Sequence, residues 1–367
     1  MGKKRCSMEN LAEIKGKVNP DFWRDKRVFL TGHTGFKGSW LAIWLQEMGS
    51  TVKGYSLSPT TSPNLFQEAH VGSSMESEIG DIRDLKLITD SMVDFDPDIV
   101  IHMAAQPLVR LSYKEPIETY STNVMGTLNM LEAARKCKTI KAIVAVTTDK
   151  CYENKELNRG YREDEPMGGH DPYSSSKGCC ELLISSYRRS FFNTSNAAAL
   201  ASVRAGNVIG GGDWSNDRLI PDILKAFENS QEVIVRNPSS VRPWQHVLEP
   251  LSGYLVLAEQ LYLNGKQYAE GWNFGPQDED CKSVEYILDK IVDHWGEGSS
   301  WRLDDNSNPH EANFLKLDIS KSARKLQWKP KWNLDFTLKS IVSWHKQWLS
   351  KKNIKNVCIS DINQYNS

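Results

Sequence analysis

One stretch near the N-terminus, residues 27–45, constrains the fold of this chain more than any other. A short apolar run, RVFLT, is followed by a turn that contains Gly32, Gly35 and Gly38, and then by a segment of helical character. A strand, a glycine-rich turn and a helix in this order direct backbone N–H groups and a helix N-terminus at a bound pyrophosphate. The spacing is G-x-x-G-x-x-G and not the commoner G-x-G-x-x-G, so an ordinary glycine-rich corner is the alternative. The flanking strand and helix favour a nucleotide site.

Beyond this stretch, apolar runs alternate with polar segments of helical composition. The runs occupy 51–55, 78–82, 98–103, 141–146 and 197–203. This alternation predicts an α/β fold built on a doubly wound (Rossmann-type) parallel sheet, in which ligands bind beyond the carboxyl ends of the strands. The candidate motifs fall at those ends: the glycine turn after the first strand, Asp81 and Ile82 after the third, Ala104, Ala105 and Gln106 after the fourth, and 147–150 after the fifth.

The end of the second strand lacks a feature that is common in dinucleotide sites. An NAD site usually offers Asp or Glu there to the ribose hydroxyls, whereas this chain has Ser56-Leu57-Ser58. No guanidinium follows that could bind a 2′-phosphate. This position therefore specifies neither NAD nor NADP.

Tyr173 and Lys177 form a Tyr-x-x-x-Lys pair at the start of a segment of helical composition, 174–192. One helical turn separates them, so both side chains lie on the same face. An ammonium close to a phenol favours the phenolate, which would make Tyr173 a general base near neutral pH. Alone, this spacing is a weak signal, because it also occurs on many exposed helix faces.

Composition excludes several classes of protein. The 367 residues carry a net charge of −1, so we expect no nucleic-acid partner. There is no apolar run long enough to span a membrane and no signal peptide, so we expect no membrane association. The seven cysteines lack Cys-x-x-Cys spacing and the histidines show no ligand spacing. We therefore expect reduced thiols, no metal and a cytoplasmic location.

Taken together, the motifs resemble those of the extended short-chain dehydrogenase/reductase family. They are Thr31 with the glycine turn, Gly80-Asp81-Ile82-Arg83-Asp84, His102-Met103-Ala104-Ala105, Tyr173-x-x-x-Lys177 and Arg204-x-x-Asn207-Val208-x-Gly210. Within the family the chain resembles the nucleotide-sugar 4,6-dehydratases, and most closely those that act on CDP-glucose, over residues 22–345. This finer resemblance lies in 31–38 (TGHTGFKG), 104–110 (AAQPLVR), 148–152 (TDKCY) and 242–247 (RPWQHV).

The resemblance implies conversion of CDP-glucose to CDP-4-keto-6-deoxyglucose with NAD as a catalytic cofactor, a step of deoxysugar biosynthesis. Oxidation at C4 acidifies the C5 proton, water is eliminated across C5 and C6, and hydride returns to C6. Tyr173 would take the 4-hydroxyl proton, Lys177 would hold the nicotinamide ribose and lower the tyrosine pKa, and Thr148 would hydrogen-bond near O4. Asp149 matches the general acid that protonates the departing 6-hydroxyl.

The position after this acid departs from the dTDP-glucose relatives, in which a glutamate is the base at C5. This chain has Lys150 there. A lysine is a base only when neutral, which requires burial or a neighbouring positive charge such as that of Lys177. We favour Lys150 as the base; the alternatives are that it stabilises the enolate oxyanion or that it points to solvent.

The resemblance also implies which residues hold the ligands. The expected cofactor-binding residues are Gly32, Thr34, Gly35, Phe36, Lys37, Gly38, Asp81, Ile82, Ala104, Ala105, Gln106, Asn123, Thr147, Tyr173 and Lys177. The expected substrate-binding residues are Arg110, Asn207, Arg218, Leu219, Arg242 and His310. Arginine suits the substrate diphosphate because its planar group binds two oxygens at once.

We expect four regions along the chain. These are an N-terminal extension over 1–20, an NAD-binding Rossmann domain over 21–206 to which the chain later returns, a smaller and mainly substrate-binding C-terminal lobe over 207–350, and a polar tail over 351–367. By resemblance, helices around 110–135 and 174–188 would form a homodimer or a higher homo-oligomer.

Two other functions stay open from the sequence. An NAD-dependent nucleotide-sugar 4-epimerase would share the fold, the cofactor, Tyr173 and Lys177. It has no use for an acid at C6, so Asp149 favours elimination. A non-catalytic NAD-binding protein could keep the glycine turn, but the intact set of Thr148, Tyr173 and Lys177 argues against it.

Overall fold

The computed structural model of the protein describes residues 16–235, 237–304 and 315–367. The strands are β1 (Arg27–Thr31), β2 (Thr51–Ser56), β3 (Glu76–Ile79), β4 (Ile99–His102), β5 (Ala142–Val146), β6 (Ala199–Arg204), β7 (Val208–Ile209), β8 (Val233–Val235), β9 (Val241–Pro243), β10 (Gln245–His246), β11 (Gly271–Asn273), β12 (Cys281–Ser283) and β13 (Trp301–Leu303). The α-helices are α1 (Pro20–Trp23), α2 (Phe36–Glu47), α3 (Leu65–Glu68), α4 (Leu85–Phe95), α5 (Val109–Lys114), α6 (Pro116–Tyr120), α7 (Gly126–Lys136), α8 (Pro172–Ser190), α9 (Leu219–Glu228), α10 (Leu248–Asn264), α11 (Val284–Trp295), α12 (Ser320–Lys325), α13 (Leu334–Leu349) and α14 (Ile354–Asn366).

Seven strands form one parallel sheet in the order β3-β2-β1-β4-β5-β6-β11. Strands β4 and β5 are buried along their whole length, which explains why their sequences are continuous apolar runs without alternation. The strand order reverses beside β1, since β2 and β3 extend the sheet in one direction and β4 in the other. The predicted doubly wound sheet is confirmed, and its ligand crevice is expected at the β1/β4 switch point.

Helices cover both faces of this sheet. Side chains of β4 alternate between the two cores, with Ile101 in the core that includes α2 and α10 and Val100 in the core that includes α4 and α7. This alternation follows from the two-residue period of a strand. Among the helices that the structure describes, none is both long and apolar enough to cross a bilayer.

A third core lies outside the sheet, where the chain builds the C-terminal lobe. It is formed by apolar residues of α9, α11 and α13 together with Val233, Val235 and Trp244. Three two-stranded pairs, β7–β10, β8–β13 and β9–β12, complete this part. The chain returns to the main sheet through β11, which pairs with β6. The proposed boundary at residue 206 stays a prediction.

The predicted polar tail over 351–367 is wrong, because most of it is the helix α14. Its side chains Ile354, Val357, Cys358, Ile362 and Tyr365 are buried and belong to the core that also contains α2. They follow a helical spacing that the intervening polar residues obscure. The described end of the predicted extension is also attached to the fold, since the backbone N–H of residue 19 donates to a carboxylate of α10.

Candidate active site

A cavity of about 270 Å³ lies at the carboxyl edge of the sheet. Thirteen of the predicted cofactor-binding residues line it: Gly32, Thr34, Gly35, Phe36, Lys37, Gly38, Asp81, Ile82, Ala104, Ala105, Thr147, Tyr173 and Lys177. They come from the ends of four different strands and from the start of α8. These residues therefore lie together, as expected from the rule that ligands bind beyond the carboxyl ends of parallel strands.

The glycine turn has the geometry of a pyrophosphate cradle. Gly32 has a φ of +77°, and a Cβ there would lie 2.7 Å from the backbone nitrogen of Ala104. A Cβ on Gly38 would overlap the carbonyl oxygen of Gly32. Gly35 is the N-cap of α2 and offers no side-chain acceptor, so N–H groups of the first turn are available to an anion. These features fit a dinucleotide.

Two predicted cofactor residues, Gln106 and Asn123, do not line the described part of the cavity. The Asn123 side chain accepts from the Gln106 backbone at 2.8 Å and donates to the Gln106 carbonyl and to the hydroxyl of Ser176. The Gln106 amide donates to Thr119 at 2.8 Å. The Asn123 amide therefore fixes the loop after β4 against α8, and the Gln106 amide fixes it against α6. A role in contacting the cofactor stays a prediction for them.

Two further segments line the cavity: 56–61 after β2, of which the sequence analysis considered only 56–58, and 212–215 in the C-terminal lobe, which it missed. The segment after β2 is fixed by Thr34, whose hydroxyl donates to the carbonyl of Leu57 at 2.8 Å. Asp213 accepts from Arg218 at 3.1 Å. The strand-end rule predicts the first segment, although its residues carry no distinctive chemistry. No signal in the sequence singles out Asp213.

Tyr173 stands at the start of α8, where Asp171 caps the helix by accepting from the backbone of Ser174. Burial raises the pKa of Tyr173 to about 12, whereas its hydrogen bond with Thr148 lowers that pKa. The ammonium of Lys177 donates to the carbonyl of Val146 at 3.2 Å. Burial also lowers the pKa of Lys177. Desolvation of the phenol thus outweighs the effects that lower the pKa of Tyr173.

Thr148 and Asp149 lie directly after β5, where Asp149–Cys151 forms a single 3-10 turn. The Thr148 hydroxyl donates to Oδ1 of Asp149 at 3.0 Å. Burial raises the pKa of Asp149, and the charge of Lys150 acts in the opposite direction. Burial therefore favours the protonated carboxyl, which is the form that a general acid needs.

Lys150 is half-buried beside this acid. Within the described residues its ammonium forms no ion pair, in contrast to Arg218 and Asp213. Lys150, Thr148 and Asp149 are not among the residues that line the described cavity, so their roles stay predictions. In the same described ranges, no three His, Cys, Asp or Glu side chains converge as a metal site.

A buried ion pair, which sequence reasoning missed, connects the elements that carry the catalytic groups. Glu181 lies one helical turn beyond Lys177 and pairs with Arg204 at 2.8 Å. Its carboxylate also accepts from Thr147 at 2.5 Å and from Ser202 at 2.8 Å. Burial raises the pKa of Glu181, but the charge of Arg204 and these hydrogen bonds lower it by more, so the net shift of the pKa is downward. The pair connects α8 to the ends of β5 and β6.

The predicted substrate residues are only partly brought together. Arg218 lines the cavity, and Arg110 pairs at 2.7 Å with Asp217, the neighbour of Arg218. Asn207 follows β6 with a φ of +47°. Four of the predicted substrate residues do not line the cavity: Arg110, Asn207, Leu219 at the start of α9 and Arg242 in β9. His310 lies outside the described residues.

The chain is similar to known proteins over most of its length. Residues 29–341 match the family described as GDP-mannose 4,6 dehydratase. The chain is 59% identical to a CDP-glucose 4,6-dehydratase of Salmonella typhimurium over 95% of this chain and 99% of the relative.

Solved structures show the same fold. A UDP-glucose 4-epimerase of Thermotoga maritima, solved with UDP-glucose, is 21% identical, with a TM-score of 0.74 over 88% of this chain and 99% of that one. A dTDP-glucose 4,6-dehydratase of Bacillus anthracis, solved with NAD, is 20% identical, with a TM-score of 0.73 over 90% of this chain and 99% of that one. With its glycine turn, its Tyr-x-x-x-Lys pair and these matches, the chain belongs to the GDP-mannose 4,6 dehydratase family of extended short-chain dehydrogenase/reductases.

Proposed function

We propose that the protein is a nucleotide-sugar 4,6-dehydratase that converts CDP-glucose to CDP-4-keto-6-deoxyglucose with NAD as a catalytic cofactor. The observation that carries the proposal is the buried carboxyl of Asp149, whose pKa burial raises, at the same strand edge as Tyr173 and Lys177. Oxidation at C4 alone needs no such acid, whereas elimination does. The choice of CDP-glucose rests on the 59% identical relative named for that substrate.

The residues around the glycine turn fit the cofactor. The N-terminus of α2 would bind the pyrophosphate and Lys177 the nicotinamide ribose. When bound, the nicotinamide supplies a hydride acceptor for C4 and later a hydride donor for C6. The serine and threonine hydroxyls of 56–61 line the cavity where a carboxylate is common in NAD sites.

Proton transfer at O4 is assigned to Tyr173. Its phenol is hard to ionise when buried and unliganded, since burial raises its pKa to about 12. Lys177 provides the cation that favours the phenolate, because it lies one turn away on the same face of α8. Thr148 hydrogen-bonds the same phenol and would orient it toward O4.

Elimination is assigned to the turn after β5. A base removes the proton from C5, the electrons of that bond form the C5–C6 double bond, and the C6–O bond breaks as Asp149 protonates the leaving hydroxyl to give water. We infer that Lys150 is the base, because its half-buried ammonium has no ion-pair partner within the described residues. A lysine acts as a base only as the neutral amine.

The test is an incubation of the purified protein with CDP-glucose and NAD⁺ in deuterated water, followed by NMR. We expect a 4-ketosugar with a 6-methyl group and deuterium at C5. Parallel incubations with UDP-glucose and dTDP-glucose test the nucleotide base. Interconversion of the 4-hydroxyl without a 6-methyl product would instead identify an epimerase. Absence of any reaction with these nucleotide-hexoses would overturn the proposal.

We also infer a homodimer formed through α5, α6 and α8. These helices pack on one another and carry exposed apolar side chains: Leu111, Tyr113, Ile117, Tyr120 and Leu182. Ile117 is 85% exposed, and a group of exposed apolar side chains is typical of an interface.

A cytoplasmic location stays a prediction.

Sedimentation equilibrium tests the assembly. We expect a dimer for the unmodified chain and a monomer for Ile117→Glu. Leu263→Glu, at a half-exposed leucine near the end of α10, should leave the dimer intact. A monomeric unmodified chain, or a dimeric Ile117→Glu variant, would contradict the inference.

A further inference from the structure

Gly206 lies directly against the carboxyl group of the general acid. A Cβ added to Gly206 would overlap Oδ2 and Cγ of Asp149 and would lie 2.7 Å from its Oδ1. Cβ atoms in folded proteins do not approach other heavy atoms so closely, because the interior is already close-packed. The carboxyl of Asp149 therefore occupies the space that a side chain at position 206 would need.

The backbone of Gly206 does not itself require a glycine. Its φ lies outside the left-handed region, unlike that of Gly212, at +82° in the same segment. Any residue could adopt its conformation. The requirement at position 206 is therefore for space, and the group that takes the space is the carboxyl of Asp149.

Neither side of this contact is free to move away. The side-chain amide of Gln245 donates to the carbonyl of Gly206 and to that of Phe274, both at 3.1 Å. The backbone N–H of Gln245 donates to the carbonyl of Asn207 at 3.2 Å. On the other side, Asp149 is buried and accepts from Thr148. The contact is fixed from both sides.

We propose that Gly206 is a positioning residue for proton transfer to the departing 6-hydroxyl, an inference that rests on the proposed dehydratase function. Asp149 must come within hydrogen-bond reach of that hydroxyl. A methyl group at position 206 displaces the carboxyl, and a misplacement of about 1 Å can lower a rate about 10²-fold. The three heavy atoms nearest to a Cβ at position 206 all belong to Asp149, whereas oxidation at C4 uses Tyr173 and Lys177, so we expect the variant to separate the two half-reactions.

The first experiment compares Gly206→Ala with Gly275→Ala. Gly275 is a matched control, because a Cβ there would make ordinary contacts at 3.5 Å and 3.6 Å with side chains of the C-terminal lobe. Rapid mixing with CDP-glucose follows the absorbance of reduced nicotinamide, and NMR follows the 6-methyl product. For Gly206→Ala we expect reduced nicotinamide to form at the unmodified rate and then accumulate, while product formation falls about 10²-fold. Gly275→Ala should match the unmodified enzyme in both.

A stability cycle tests the contact without using activity. Gly206→Ala should lower the melting temperature of the unmodified chain, but should lower it much less in an Asp149→Ala background, where the carboxyl is gone. An equal loss in both backgrounds would show that the methyl group meets something other than the carboxyl and would overturn the inference. Unmodified product formation by Gly206→Ala would do the same, as would a parallel loss of both half-reactions.

Failure of the proposed dehydratase function and failure of the positioning role of Gly206 can be told apart. If the unmodified protein makes no 6-methyl product, the proposed dehydratase fails, and the stability cycle still decides whether Gly206 provides the space for Asp149. If the unmodified protein makes the product and Gly206→Ala makes it equally fast, only the positioning role fails.

Discussion

Replacing Glu181 with glutamine removes one charge from the buried pair beneath the catalytic groups. Glu181 and Arg204 have side chains that are only 4% and 5% exposed, so the remaining guanidinium would lose its ion-pair partner with little water to replace it. Breaking a buried pair by removing one partner typically costs about 3–5 kcal/mol. We expect Glu181→Gln to lower the free energy of unfolding at pH 7 by about that amount, a large part of the total of roughly 5–15 kcal/mol.

The pH dependence of this effect has a defined sign. The pKa of Glu181 is lowered in the folded protein, so its stabilisation is present above the unfolded pKa and is lost as the pH falls through the folded value. The difference between the unmodified chain and Glu181→Gln should therefore shrink in acid. Glu181 also raises the pKa of Lys177. On the alkaline side, the activity of Glu181→Gln should therefore begin to fall at a lower pH than that of the unmodified enzyme.

Urea unfolding at several pH values measures the first effect. Asp90→Asn is a matched control, because Asp90 pairs with Lys86 on an exposed helix face, and exposed pairs of this kind contribute little to stability. The double variant Glu181→Gln with Arg204→Met should lose less than the sum of the two single losses, since neither charge is then left alone. A loss below about 1 kcal/mol for Glu181→Gln would refute the assignment of a tightly coupled buried pair.

Three further outcomes are expected. Burial raises the pKa of Glu249 to about 7. Its contribution to stability is therefore complete below the pKa of the unfolded chain and is lost as the pH rises toward 7. In urea unfolding across that pH window, the free energy of unfolding of Glu249→Gln should rise by roughly 3 kcal/mol relative to that of the unmodified chain. Lys150→Ala should retain the first oxidation but lose deuterium incorporation at C5, as seen by NMR; retained incorporation would exclude Lys150 as the base. Removal of 353–367 should prevent folding, as judged by circular dichroism, because the five buried side chains of α14, at about 1.5–3 kcal/mol each, together are comparable with the whole stability of a domain; a folded truncated chain would contradict the structural role of α14.

The sequence was sufficient for the main sheet but not for the end of the chain. Strands such as β4 and β5 are buried on both faces, so each appears as a continuous apolar run. The helix α14 buries one face only, and its apolar residues at 354, 357, 358 and 362 are separated by polar ones. The surfaces of α2 and α13 that cover this face come together only in three dimensions.

The strand-end rule predicted part of the site, whereas the features that depend on distances between atoms were missed. The strand-end rule gathered the glycine turn and 147–150. It does not give the depth of burial, and therefore the direction of the pKa shift of Tyr173 was not predicted. The contact between Gly206 and Asp149 joins positions 57 residues apart, at the ends of the adjacent strands β5 and β6. No local pattern at either position contains it.

The arrangement explains how one fold can carry both epimerisation and elimination. The groups assigned to oxidation at C4, Tyr173 and Lys177, belong to α8. The groups assigned to elimination, Asp149 and Lys150, belong to the turn after β5, and the floor of that turn is Gly206 after β6. Because β5 and β6 are neighbours held together by Glu181 and Arg204, we expect a change confined to Asp149, Lys150 or Gly206 to alter the second half-reaction more than the first. On the proposed mechanism, elimination depends on the acid together with the space beside it.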